Sequence, residues 1–125
     1  MVTISEISAA QRDIVLALPE GHFHDLKAKD IAPTKLTRTL AAFANASGGE
    51  VYVGIDETAG PAGAKIRKWR GFGDAEEANG HLQAFEQVFP LGSYYAAAFL
   101  SCAGETGLVL QLQVFKSKDI CKALD

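Results

Sequence analysis

The sequence predicts a single α/β or α+β domain over residues 1–125, with two to three helices packed on a mixed or antiparallel sheet of about four to six strands. Two observations predict this fold class. Segments with helical spacing of apolar residues alternate with short apolar segments of strand length. Near the end of the chain, two such strands flank "CAGETG", a glycine-containing turn typical of a hairpin. A chain of 125 residues that is 48% apolar can bury one core and is too short for two.

Four elements are predicted in the first half of the chain. They are a helix over Ile4–Leu18 ended by Pro19, a strand over His22–Lys29, a helix over Thr34–Ala46 after Pro33, and a strand over Glu50–Asp56. Between the last two lie Asn45, Gly48 and Gly49, residue types that tolerate left-handed backbone at the end of a helix. We therefore predict that these three residues form a hinge between helix and strand.

The second half begins with a segment that we predict to be a basic loop, Gly60–Gly73, which contains four cations, Trp69 and no acid. Asp74 is a good N-cap for a helix that would run to Phe89, and two strands are predicted at Ser93–Ser101 and Gly107–Phe115. No finishing element is evident after the last strand. We therefore expect the domain to be the N-terminal part of a longer protein.

Several functional classes are not supported by the sequence. No apolar run approaches the roughly 20 residues of a membrane helix, and the N-terminus has no secretory leader, so no membrane partner is expected. Cys102 and Cys121 are too few for a disulfide framework and suit the reducing cytoplasm. The order helix, glycines, strand is the reverse of a phosphate-binding loop, and no Gly-Lys-Ser/Thr occurs. No cofactor is therefore expected, unless the domain is a metal-dependent nuclease.

The stretch "LTRTLAAFANASGGEVYVGIDE", preceded by "HDLKAK", resembles the Schlafen AlbA-type domain of bacterial transcriptional regulators. The resemblance rests on Asp25-Leu26-Lys27, "AFAN" at Ala42–Asn45, Gly48-Gly49, and "GIDE" at Gly54–Glu57, and it extends to Lys116-Ser117. It covers roughly residues 15 to 122. The resemblance implies a cytoplasmic nucleic-acid-binding domain, with DNA as the expected partner.

Nine residues are predicted to form the nucleic-acid-binding surface. Cations would pair with phosphates, and Trp69 would offer a ring face to an unpaired base. The set is Lys27, Lys29, Lys35, Arg38, Lys65, Arg67, Lys68, Trp69 and Arg70. The hypothesis requires that the cations from Lys65 to Arg70 share a surface with Lys27 and are not already matched with acids. Because one small face with few cations would bind weakly, a homodimer is also expected.

Two other functions stay open. The first follows from the resemblance to the animal Schlafen proteins. It implies that Glu20, Asp25 and Asp56 form a ribonuclease centre, in which bound Mg²⁺ or Mn²⁺ would activate water. The net charge of −3 favours instead a protein-interaction or dimerisation module that has kept the fold without a polyanion surface. His22, His24 and His81 show no spacing typical of a zinc site, and exposed strand histidines are the expected reading of the first two.

Overall fold

The computed structural model describes residues 3–21, 23–88 and 95–117. Within these ranges, the strands are β1 (Thr3–Ile7), β2 (His24–Lys27), β3 (Gly49–Val53), β4 (Ile55–Ala59), β5 (Lys65–Trp69), β6 (Tyr95–Cys102) and β7 (Val109–Val114). The helices are α1 (Ala9–Leu16), α2 (Pro33–Asn45) and α3 (Asn79–Val88), and a 3₁₀ turn at Ala75–Ala78 precedes α3. No helix in the described ranges is long and apolar enough to span a membrane.

Five strands form a mixed sheet in the order β1-β6-β7-β3-β2. The outer pairs, β1 with β6 and β2 with β3, are parallel, while β7 is antiparallel to both of its neighbours. A separate antiparallel ribbon consists of β4 and β5. The predicted fold class, including the mixed sheet and the β6–β7 hairpin, is confirmed.

The sheet carries an apolar cluster on each face. Helices α2 and α3 cover one face, where the largest buried side chains include Leu36, Phe85 and Phe99. The other face is only partly covered by the short α1, which buries Val15 against the sheet near Tyr52. This second cluster also receives Trp69 from the ribbon. The ribbon is therefore fixed to the side of the domain on which α1 lies.

Helix α2 shows how the sequence encodes this packing. Pro33 occupies its first turn, where the missing N–H costs nothing, and Leu36, Leu40 and Phe43 return to one buried face. After the helix, Gly48 has a φ of +84° and donates its N–H to the carbonyl oxygen of Phe43. The left-handed residue is thus Gly48, whereas Asn45 is the last helical residue and the C-cap is Ala46.

Three predicted elements differ most from the structure, and two others differ at their bounds. The strand predicted over 50–56 ends as β3 at Val53, and the helix predicted after Asp74 begins with the 3₁₀ turn at Ala75–Ala78. Residues 4–18 are not one helix: β1 comes first, and Ser8 caps α1 through a capping box with Gln11. The predicted strand at 22–29 is shorter, because β2 spans His24–Lys27, and His22 lies outside the described residues. The basic loop is wrong as well, because residues 65–69 form the strand β5.

Candidate nucleic-acid interface

The β4–β5 ribbon, Ile55–Trp69, leaves the main sheet at a crossing of two glycines. Gly54, directly after β3, has a φ of +120°, and a Cβ there would lie 2.9 Å from the Cα of Gly71. The carbonyl oxygen of Gly54 accepts the N–H groups of both Arg70 and Gly71. Because side chains would separate these two segments, the glycines fix where the ribbon starts and ends.

Alternation along β5 divides its polar side chains between two sides. Arg67 and Trp69 point towards α1 and are largely buried, whereas Lys68 and Arg70 alternate with them and are exposed. Lys68 also lines a pocket beside α1, with Arg12 and Asp13. Lys65, near the ribbon tip, has 63% of its side chain exposed. Three of the predicted cations, Lys65, Lys68 and Arg70, are therefore accessible to a large ligand.

Trp69 does not offer the open ring face that was predicted. The residue is 9% exposed, and its indole Nε1–H donates a 2.9 Å hydrogen bond to the carbonyl oxygen of Gly107. It packs within the apolar cluster beside α1. The ring is thus an anchor of the ribbon. The sequence left packing onto the domain open as the alternative, because a tryptophan flanked by cations has the same pattern in both roles.

Arg67 also points inwards and binds four groups of this chain. Its Nη1 donates to the carbonyl oxygens of Leu16 (3.1 Å) and Leu18 at the end of α1. Its Nε donates to Glu57 at 3.3 Å, and its Nη2 lies 3.6 Å from Glu20. With only 12% of its side chain exposed, Arg67 joins the ribbon to α1 and has little capacity left for a phosphate.

Glu20 and Asp25, two of the predicted catalytic acids, are brought together. A hydrogen bond with Asp25 raises the pKa of Glu20 above its ordinary value, and burial adds to the shift. Lys27 Nζ lies 3.1 Å from Asp25, and Glu20 also accepts the Leu26 N–H at 3.4 Å. The chain Arg67–Glu20–Asp25–Lys27 therefore connects the ribbon to β2 through its largely buried arginine, and the exposed ribbon cations Lys65, Lys68 and Arg70 are not part of it.

The third acid, Asp56, does not join this pair. Its carboxylate lies 3.7 Å from Nη1 of Arg70, which also binds Asp30 at 2.9 Å. In the described part of the chain, no group of three Asp, Glu, His or Cys side chains is placed to hold a metal ion. The donors present thus do not fit the three-carboxylate metal site that the family resemblance implied.

The remaining predicted cations lie around α2. Lys29 forms an ion pair with Glu77, whose carboxylate also accepts the Gly73 N–H, and these two bonds lower the pKa of Glu77. Lys35 and Arg38 lie on the exposed face of α2, with no ion pair to another described residue. These two cations are thus available, whereas Lys29 is engaged.

The histidines and cysteines give no metal site within the described residues. His24 lies 3.4 Å from Glu50 on the sheet, and the buried His81 bonds through Nε2 to the carbonyl of Ile31. Cys102 is a buried free thiol, and Cys121 lies outside the described ranges. The reading of exposed strand histidines fits His24, which is part-exposed, and His81 has a structural role.

The acids that neutralise the cations were missed by sequence reasoning. Glu57 faces Arg67 across the ribbon, and a β4–β5 hairpin reading of the sequence would have revealed that pair. Asp30 and Glu77 reach Arg70 and Lys29 from distant parts of the chain. Among the exposed ribbon cations, Lys68 forms no ion pair with another described residue, whereas Lys65 and Arg70 are exposed but each lie near an acid.

The comparisons with known proteins agree with this architecture. The pattern of the family described as "Schlafen, AlbA_2" matches residues 20–121, and no curated protein matches the chain. A similar solved structure is the N-terminal domain of a protein described as related to the ATP-dependent DNA helicase RecG, from Nitrosomonas europaea. It is 19% identical, with a TM-score of 0.65 over 90% of this chain and 78% of the other, which shows a shared fold. The chain belongs to the Schlafen AlbA_2 family.

Proposed function

We propose that the domain binds DNA, with the β4–β5 ribbon as the contact element. The observation that carries this proposal is a set of exposed cations, Lys65 and Lys68 on a two-stranded ribbon separate from the main sheet and Arg70 directly after it. A two-stranded ribbon is narrow enough to enter the major groove of B-DNA. Lys68 and Arg70 on one side of the ribbon, and Lys65 on the other, would meet phosphates on the two sides of the groove.

The ion pairs on the ribbon do not prevent phosphate binding. Exposed pairs contribute little to stability, because both charges remain solvated and screened by salt. Lys65 lies 3.6 Å from Glu57, a distance at which a phosphate oxygen could take the place of the carboxylate. Arg67 is excluded from this role by its burial and by its bonds to α1.

Family membership and the fold shared with a domain of a DNA helicase-related protein support DNA as the polymer. A role in a bacterial transcriptional regulator, acting in the cytoplasm, is part of the same proposal. Only three exposed cations, Lys65, Lys68 and Arg70, serve the proposed contact in each protomer. We therefore propose that two protomers bind together, and sedimentation of the domain with and without duplex DNA would measure this.

The test is the salt dependence of DNA affinity. The double variant Lys65→Ala/Lys68→Ala should weaken binding to a fluorescent 20-base-pair duplex and reduce the slope of log K against log salt by roughly 2, about 0.9 per lost phosphate contact. The single variant Lys68→Ala has a matched control in Lys116→Ala. Lys116 is exposed near Gly48, at the end of β3 opposite to the ribbon. Equal slopes for the wild type and the double variant would contradict the proposal.

A second candidate function, a divalent-metal nuclease, is favoured by the contact between Glu20 and Asp25. The hydrogen bond with Asp25 raises the pKa of Glu20, and a cation between the two carboxylates would stabilise the ionised form of Glu20. Lys27 beside them could offset charge on a phosphate. The position of Asp56, held by Arg70, is the observation against this function.

Two measurements separate this candidate from plain binding. Mn²⁺ would broaden the NMR signals of residues around Glu20 and Asp25 in the wild type, and less so in Asp25→Asn. The nuclease candidate requires that the wild type cleave labelled RNA or DNA with Mn²⁺ and that Asp25→Asn and Asp56→Asn do not. Binding without any metal-dependent cleavage would remove the nuclease candidate and leave the DNA-binding proposal intact.

A further inference from the structure

A groove of about 500 Å³ lies on the α3 side of the sheet, away from the ribbon. Its apolar lining comes from the 3₁₀ turn, α3 and β6, namely Ala75, Leu82, Tyr95, Ala97 and Phe99. Beyond β6 the edge strand β1 continues the same face, where Ile4 pairs in register with Phe99 and is 58% exposed. Phe99 itself is buried, but the exposed Ile4 and the partly exposed Leu82, Tyr95 and Ala97 form an apolar strip at this edge of the sheet.

The strip has the width of one helix. Two neighbouring strands, β1 and β6, extend about 10 Å across a sheet, and an α-helix with its side chains is about 10 Å in diameter. Such a helix could lie beside α3 and contact Leu82 from one side and Ile4 from below. It would complete the helical layer that α2 and α3 begin.

The rim of the groove carries acids with no cation partner. Glu76 and Glu86 line it, and Glu6 lies on the same face of β1 as Ile4. These three carboxylates form no ion pair with another described residue. The only other such acid in the described ranges is Asp74, which caps the turn before α3 through the N–H of Glu77. All other described acids lie within 4 Å of a cationic or histidine nitrogen.

We propose that this groove docks a cationic amphipathic helix of a partner protein. Its apolar face would cover the strip between Ile4 and Leu82, and its Lys or Arg side chains would pair with Glu76 and Glu86. Charge complementarity carries this choice of partner, because unpaired acids around an apolar floor repel nucleic acid and attract a basic segment.

A second copy of the chain is a poorer occupant. The apolar face of α2 is buried in its own core, so its exposed cations, Lys35 and Arg38, have no free apolar side beside them. On α1, Ile14 is exposed, but Arg12 is bound to Asp13 and Glu105. Neither helix therefore combines a free apolar stripe with free cations.

The test uses a synthetic amphipathic peptide of 14 Leu and Lys residues as the probe. On titration into the ¹⁵N-labelled domain, the largest shifts should fall on amides of Ile4, Leu82, Ala97 and Phe99. A peptide with Glu in place of every Lys should not bind, and a Leu/Lys peptide with scrambled order should bind more weakly. The ribbon variant Lys65→Ala/Lys68→Ala should bind the peptide as tightly as the wild type does, so the outcome is independent of the proposed DNA function.

Charge variants decide whether the groove is the site. Glu76→Gln/Glu86→Gln should weaken the peptide about three- to tenfold, the range expected for two exposed charge pairs. The matched control Asp13→Asn/Glu105→Gln removes two acids beside α1, on the other face of the sheet, and should change affinity less than twofold. Equal weakening by both variants, or shifts spread evenly over the acidic surface, would overturn the proposal. So would a dimer of the free domain in which the groove amides are the interface.

Discussion

Replacement of Arg67 by methionine should destabilise the domain far more than any other loss of a ribbon cation. Methionine keeps most of the apolar stem and removes only the guanidinium, so the variant isolates the polar contacts. Those contacts reach the carbonyl oxygens of Leu16 and Leu18 and two acids, Glu57 and Glu20. The variant would leave both carbonyls without their donor and the acids without their counter-charge.

The expected loss follows from these contacts. A hydrogen bond from a charged donor contributes about 1.5–3 kcal/mol, and removing one partner of a buried ion pair costs about 3–5 kcal/mol. The 12% exposure of Arg67 lets water reach part of the cluster, which reduces the second figure. We expect a loss of about 2–4 kcal/mol in the free energy of unfolding, or a fall in Tm of roughly 10 °C.

Urea unfolding followed by tryptophan fluorescence is a suitable assay, because Trp69 is buried beside this cluster. The control is Lys68→Met, which removes the adjacent cation from the exposed side and should change stability by no more than about 0.5 kcal/mol. If both variants unfold at the same urea concentration, Arg67 does not join the ribbon to α1 as described.

Three further predictions concern the ribbon and its neighbours. Trp69→Phe should cost about 1–3 kcal/mol, because the buried carbonyl of Gly107 loses its donor, yet DNA affinity measured on the folded variant should not change. Gly107→Ala should prevent normal folding in a thermal melt, because its Cβ would lie 1.9 Å from the backbone oxygen of Arg70. Its control, Gly104→Ala, has open space around it and a φ of +90°, so it should cost only about 1–2 kcal/mol of stability. The raised pKa of Glu20 means that its ionisation opposes folding, so the wild type should lose stability as pH rises through that pKa. Glu20→Gln, which does not ionise there, should therefore become more stable than the wild type in parallel melts, and this difference should vanish at low pH. A wild type that loses no stability against Glu20→Gln across this range would contradict the contact between Glu20 and Asp25.

Local signals were sufficient for the elements that carry periodic apolar residues. Helix α2 and strands β3 and β7 lie close to their predicted positions, because their buried faces are visible in the order of residues alone. The helix predicted over residues 4–18 was wrong in its first part. Ile4, Ile7 and Ile14 have helical spacing, but the first two belong to β1. The pairing of β1 with β6, almost a hundred residues along the chain, decides that segment.

The candidate site was predictable in its residues but not in its pairings. The family motif located Glu20 and Asp25, which do meet, and it also indicated Asp56, which Arg70 holds elsewhere. Charge along the sequence cannot show that Arg67 faces inwards while Lys68 faces outwards, because this depends on the register of the ribbon. Partners from distant segments decide which cations remain free.

The central claim, that the ribbon contacts nucleic acid, is tested most directly by NMR titration of the ¹⁵N-labelled domain with a short DNA duplex. The largest amide shifts should lie in β4, β5 and the tip between them, with Lys65 and Lys68 among them and Lys116 unaffected. Shifts confined to α2, or to surfaces away from residues 55–70, would contradict the claim.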